Sequence, residues 1–172
     1  MRTANSNNPA NEEILREIYE SIVSSYKNTL SPDFSFIGKR YKSGIYMDLI
    51  SELKGSFELI EHTDLNYSSC LSFCIKSKKL QWEFNLSLVG PYATLCRKGR
   101  RRILLSHEKN ANTEAEALLL KIISKNKITL LGIDVLRSRI KERLIDNDFG
   151  DRVSDVIFNI LFFHDINASD LY

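Results

Sequence analysis

The stretch SSCLSFCIKSKKLQWEFNLSLVG, residues 68–90, decides the fold class. Leu71, Phe73 and Ile75 alternate there with Ser72, Cys74 and Lys76. After Ser77-Lys78-Lys79, the series Leu80, Trp82, Phe84, Leu86 and Leu88 alternates with Gln81, Glu83, Asn85 and Ser87. A period of two places successive side chains on opposite faces of a pleated strand. The pattern predicts two antiparallel strands that turn at Lys78-Lys79 and bury one face. Trp82, the single tryptophan, falls on the core-facing register.

Outward from this hairpin the signals weaken on one side and change period on the other. Gly90-Pro91 ends the second strand, because proline cannot donate to a ladder. Tyr92 to Arg97 and Arg101 to Leu105 predict another hairpin about Lys98-Gly99, and Phe57 to Leu65 a blurred first strand. Upstream, Ile14, Ile18, Ile22 and Tyr26 recur every four residues, so a helix is expected from Asn11 to about Asn28. Glu12 and Glu13 then sit in its first turn and Lys27 in its last, as the macrodipole favours. A shorter helix is expected from Ile45 to Lys54, with Ile45, Leu49, Ile50 and Leu53 inward and Gly55 as its cap. Downstream, Thr113-Glu114-Ala115-Glu116 reads as a capping box that opens a helix to Lys125. Ile128 to Leu131 reads as a short strand turned by Gly132, and Asp134 as the cap of a helix to Leu144. Val153, Val156, Ile157, Ile160 and Leu161 suit a helix from Ser154, although the β-branched and aromatic content also suits a buried strand.

The chain has 172 residues, 43% hydrophobic and 27% charged. That suits one domain with its own core, read as residues 11–172 behind an Asn-rich, disordered leader at 1–10. Lys and Arg number 24 against 22 acidic residues, a net charge of +2, which predicts no global attraction to nucleic acid or anionic membrane. No apolar run nears the roughly 20 residues that a membrane helix needs, and the N-terminus carries no secretory h-region. The three cysteines, Cys70, Cys74 and Cys96, are too few and too oddly spaced for a disulfide framework. They read as reduced, buried thiols in a cytoplasmic protein.

The residues offer little catalytic chemistry. His62, His107 and His164 show no metal-ligand spacing. The seven glycines are scattered singly, with no phosphate-binding loop, so no cofactor is expected. Cys96 and His107 lie on adjacent predicted segments and could form a nucleophile–base pair, but no motif frames them. Two charged runs remain. Arg97-Lys98-Gly99-Arg100-Arg101-Arg102 can be a solvated hairpin tip that guards a sheet edge. It can also contact phosphates, with Trp82 and Tyr92 for stacking, or dock an acidic protein. Asp146-Asn147-Asp148-Phe149-Gly150-Asp151 resembles a calcium loop without its distal ligands. It reads as a turn whose Asp146, Asp148 and Asp151 around Phe149 could anchor a basic partner.

From about Leu71 onward, the order of elements resembles small bacterial immunity proteins, the partners of contact-dependent inhibition toxins and other polymorphic toxins. The resemblance rests on Leu80-Gln81-Trp82-Glu83-Phe84 through Gly90-Pro91-Tyr92, on the capped helix Thr113 to Lys125, on Ile128-Thr129-Leu130-Leu131, and on Val153 to Phe163. It covers roughly 100 residues as a pattern of elements, and residues 1–60 lie outside it. Immunity proteins against nucleases are often strongly acidic, which this chain is not. The resemblance implies a non-enzymatic chain that binds and neutralises a cognate toxin domain. Its contacts would come from Asp146, Asp148, Phe149 and Asp151, or from Arg100, Arg101 and Arg102. A nucleic-acid-binding or regulatory module using the 97–102 hairpin is the alternative. The expected fold is α+β: a single domain with a four- to five-stranded, mostly antiparallel sheet and helices packed on one face.

Overall fold

In the computed structural model, residues 9–28, 31–66, 68–107, 110–146 and 152–162 are described. The elements in chain order are α1 (Pro9–Tyr26), α2 (Ser35–Ser43), α3 (Met47–Ser56), β1 (Glu58–Glu61), β2 (Cys70–Ser77), β3 (Leu80–Ser87), β4 (Tyr92–Arg97), β5 (Ile103–Leu104), α4 (Glu114–Lys125), β6 (Thr129–Leu130), α5 (Ile133–Leu136), β7 (Arg139–Asp146), β8 (Arg152–Val156) and α6 (Ile157–Phe162).

The expected antiparallel sheet is present. Its order is β1-β2-β3-β4-β5, with β6 added parallel to β4 to make six strands. Alternation sets the register of β2 against β3: Phe73 faces Phe84, Ile75 faces Trp82, and Cys74 faces Glu83. One face therefore carries Leu71, Phe73, Ile75, Trp82, Phe84, Leu86, Ala93 and Leu95, all buried in one core with Leu49 and Leu53 of α3 and Leu119, Leu120, Ile122 and Ile123 of α4. Each such aliphatic or aromatic side chain contributes about 1.5–3 kcal/mol on burial. Lys125 and Asn126 reach Glu52 on α3, an exposed contact of small worth.

The helical cover extends beyond that face. A second core gathers Ile18, Ile22 and Tyr26 of α1, Val135 and Leu136 of α5, and Ile157, Phe158, Ile160, Leu161 and Phe162 of α6. Carbonyls near the end of α6 lack partners within so short a helix, and neighbouring polar groups supply them. Ser87 donates to Leu161 O at 2.8 Å, Ser69 to the same oxygen at 3.1 Å, and Tyr26 to Ile160 O at 2.9 Å. Ser87 points to the side of β3 opposite Leu86, so α6 meets the sheet where α3 and α4 do not.

Several local expectations give way. α1 begins at Pro9, inside the expected leader, and ends at Tyr26. Lys27 follows it at φ +60° and pairs with Asp33 instead of closing the last turn. The helix expected from Ile45 to Lys54 is α3, shifted to Met47–Ser56, and a further helix, α2, precedes it where none is expected. Gly44 sits at φ +65° and donates its N–H to Tyr41 O, which ends α2. Ile45 consequently lies in the turn, 49% exposed, and not inward. Gly55 lies within α3, whose cap is Phe57. β1 is confined to Glu58–Glu61, the part that pairs with β2. The helix expected from Asp134 to Leu144 stops at Leu136, and the chain continues as β7, paired with β8. Its N-cap is Gly132, not Asp134. Arg139, Lys141 and Arg143 alternate with Ile140, Glu142 and Leu144, a strand-compatible pattern masked by the helical reading of Val135, Leu136 and Ile140 as one inward side. The segment from Ser154 is strand as far as Val156 and helix only from Ile157.

Candidate functional site

The basic run is divided by its surroundings. Arg97 points to the same face as Trp82, its cross-strand partner, and is drawn into the core by Glu116 on α4. Glu116 is fully buried. Its carboxylate accepts from Arg97 Nε and, at 2.6 Å, from Arg97 Nη2. It also accepts from Trp82 Nε1 at 3.0 Å and from the backbone N–H of Asn112 at 2.9 Å. The capping box is thus half realised. Thr113 Oγ1 accepts from Glu116 N at 3.2 Å, while the carboxylate turns away to the guanidinium and the indole. Burial pushes the Glu116 pKa up, but the hydrogen bonds from Arg97, Trp82 and Asn112 outweigh it and leave the carboxyl below its ordinary value.

The other basic residues stay outside. The N–H of Lys98 donates to Gln81 O at 2.8 Å, so the turn after β4 lies beside the turn between β2 and β3. This register brings Lys78 and Lys79 to the same end of the sheet as Lys98, Arg100, Arg101 and Arg102, all of them exposed. Lys98 and Arg102 each lie 3.9 Å from Glu83, and Lys76 lies 3.3 Å from Glu58. Lys78, Lys79, Arg100 and Arg101 make no ion pair with the described residues. Sequence reading separated the lysine turn from the arginine turn. Cross-strand register unites them.

The stacking platform expected beside this end is missing. Trp82 is completely buried and held by Glu116. Tyr92 is buried at the opposite end of β4, where its hydroxyl lies 3.1 Å from Ser21 Oγ. Of the acidic candidates, Asp146 ends the backbone of β7, while Asp148, Phe149 and Asp151 lie outside the described residues. His164 and Phe163 lie outside them too.

The thiols are buried and free. Burial pushes Cys70 up to about 11. Burial and the Glu83 carboxylate raise Cys96, against the smaller opposing influence of Arg102 and Lys98. Both shifts deplete the thiolate that a nucleophile needs. Cys96 lies across from Glu83 and Leu104, whereas His107 lines a separate cleft with Leu120, Ile123 and Ile128. His62 leaves β1 at one sheet edge and His107 follows β5 at the other. Among the described residues no three His, Cys, Asp or Glu side chains are grouped to hold a metal ion. No helix among them is long and apolar enough to cross a membrane.

The polar face of the sheet carries a cleft of about 350 Å³ lined by His62, Ser72, Cys74, Glu83, Asn85 and Lys98. Asn85 donates to Thr94 Oγ1 at 3.3 Å, and its Oδ1 is buried without a partner. At the far end of the sheet, α2 and α3 are pinned by the carbonyls of the β3–β4 turn. Arg40 Nη1 donates to Leu88 O and, at 2.6 Å, to Val89 O. The Tyr46 hydroxyl lies 2.8 Å from Ser87 O and 2.9 Å from Gly90 O, and burial pushes its pKa up to about 12. Compared with known proteins, the chain matches no family model, no curated protein and no solved structure.

Proposed function

We propose that this chain acts by binding: a toxin-immunity protein that covers the active site or substrate surface of a cognate bacterial toxin in the cytoplasm. The observation that carries the reading is the convergence of the 78–79 and 98–102 turns on one end of a well-packed sheet. Four cations there have no ion-pair partner among the described residues. Such an end suits an acidic protein face, since charge complementarity speeds encounter and fixes register. A stable complex would extend the contact to a standard interface of about 1,600 Å². The buried, raised thiols Cys70 and Cys96 favour binding over nucleophilic catalysis. The acidic sequence from Asp146 to Asp151, with Phe149 inside it, is the second candidate contact, suited to a basic partner.

Exposed cations also suit a phosphate backbone, which keeps the nucleic-acid reading in view. It is the weaker reading because Trp82 and Tyr92 are not available for base stacking.

Co-expression with a toxin encoded beside this chain tests the proposal. Growth should be rescued and a stoichiometric complex should purify. Reversing Lys78, Lys79, Arg100 and Arg101 to Glu should abolish both while circular dichroism stays unchanged. Rescue untouched by the reversal removes the basic end from the interface. No rescue by the native chain, or retention on RNA that falls steeply with salt, overturns the immunity reading.

A further inference from the structure

Large hydrophobic side chains left in water are scattered over most folded surfaces, and single ones carry no message. Here they cluster. Among the described residues the strongly exposed ones are Val23, Tyr41, Ile45, Met47, Ile103 and Leu118. Tyr41 near the end of α2, Ile45 in the turn after it and Met47 at the start of α3 are 44%, 49% and 57% exposed. That turn is rigid. Gly44 ends α2 at φ +65°. A Cβ there would lie 2.8 Å from Met47 Cγ, so a larger residue would displace Met47. Behind the turn, Arg40 and Tyr46 lock onto the carbonyls of residues 87–90. The exposed side chains therefore stand on a fixed frame.

They wall a groove of about 540 Å³, whose apolar floor includes Ile50, Leu71 and Leu88. Its charged lining is Arg40, Lys42 and Lys54 against the single acid Glu61. Tyrosine, methionine and arginine are the residue types enriched at protein interfaces, and a cationic rim selects an anionic partner. We propose that this α2–α3 groove docks a short segment of a protein partner in which apolar anchors are flanked by aspartate or glutamate.

The groove is a separate surface from the basic sheet end. It adjoins the Ser87 end of β3, whereas the basic turns adjoin Leu80. Seven residue steps of strand at about 3.3 Å each separate them by roughly 23 Å. The inference therefore stands whether or not the basic end binds a toxin.

A fluorescent synthetic peptide tests it, with Leu and Phe at helical i, i+3 and i+4 spacing and Glu between them, read by anisotropy. The native chain should bind this peptide and reject its Lys-for-Glu counterpart. Ile45→Glu and Met47→Glu, each replacing an exposed side chain, should each weaken binding at least about tenfold with the circular dichroism unchanged. The double change Lys42→Glu, Lys54→Glu should invert the preference, so that the lysine peptide binds and the glutamate peptide does not. Equal binding of both peptides, or binding of neither, overturns the proposal. So does self-association that Ile45→Glu abolishes, because the groove would then be filled by a second copy of the chain.

Discussion

Glu116 occupies a capping position in sequence and the centre of a charge cluster in space. Its carboxylate holds Arg97, Trp82 and the Asn112 N–H, and so joins α4 to β3 and β4. Removing one member of a buried pair leaves the other charge uncompensated, which costs about 3–5 kcal/mol. Glu116→Ala should lower stability by that order in a denaturant titration, with a red-shifted emission from Trp82. Glu116→Leu combined with Arg97→Met should recover most of the loss, because neither charge is then left alone. A separate prediction concerns pH. The folded-state pKa of Glu116 lies below the ordinary 4.5. Its contribution is therefore complete above about 4.5 and disappears as pH falls toward the lower folded value. Native chain and Glu116→Gln should differ most in stability near neutrality and converge on acidification. A constant gap at all pH values would show that the carboxylate charge is not what matters.

At the scale of elements, turns position the surfaces. The β3–β4 turn is closed by Gly90, where an added Cβ would stand 2.4 Å from Tyr92 Cε2 and 3.2 Å from Ser21 Oγ. Neither atom is free to move, because Tyr92 is buried and its hydroxyl lies within hydrogen-bond distance of Ser21. Gly90→Ala should therefore cost about 1–3 kcal/mol. Because Tyr46 and Arg40 hold carbonyls of this same turn, hydrogen exchange should quicken in α2 and α3 as well as at the turn. Loss confined to residues 88–92 would mean that the helices are not anchored there. The failed helix expectations belong to this scale. Periodicity located apolar stripes in 45–54 and 134–144 but gave no sign of α2, which Gly44 ends just before them. Nor could it show that β8 would recruit residues 139–146 into a ladder.

For the whole molecule, charge placement and stability pull apart. Lys78 adopts φ +53° in the β2–β3 turn, a conformation that costs a residue with a side chain about 1–2 kcal/mol and glycine far less. Lys78→Gly should raise the melting temperature modestly, by up to about 1 kcal/mol of stability, while weakening an acidic partner bound at the basic end. A rise in stability with unchanged partner affinity would remove Lys78 from the contact. The pairing of outcomes matters because it separates a binding role from a folding role at one residue.

The sequence alone determined the antiparallel sheet, the buried Trp82, the helix opened by Thr113 and the presence of a basic run, since each is a local pattern of period, cap or charge. Tertiary structure alone decided which cations have no ion-pair partner among the described residues. Cross-strand register set the lysine turn beside the arginines, while α4 brought Glu116 to Arg97. It also decided that Tyr41, Ile45 and Met47 face solvent, because exposure depends on which neighbours arrive, and no local spacing encodes that.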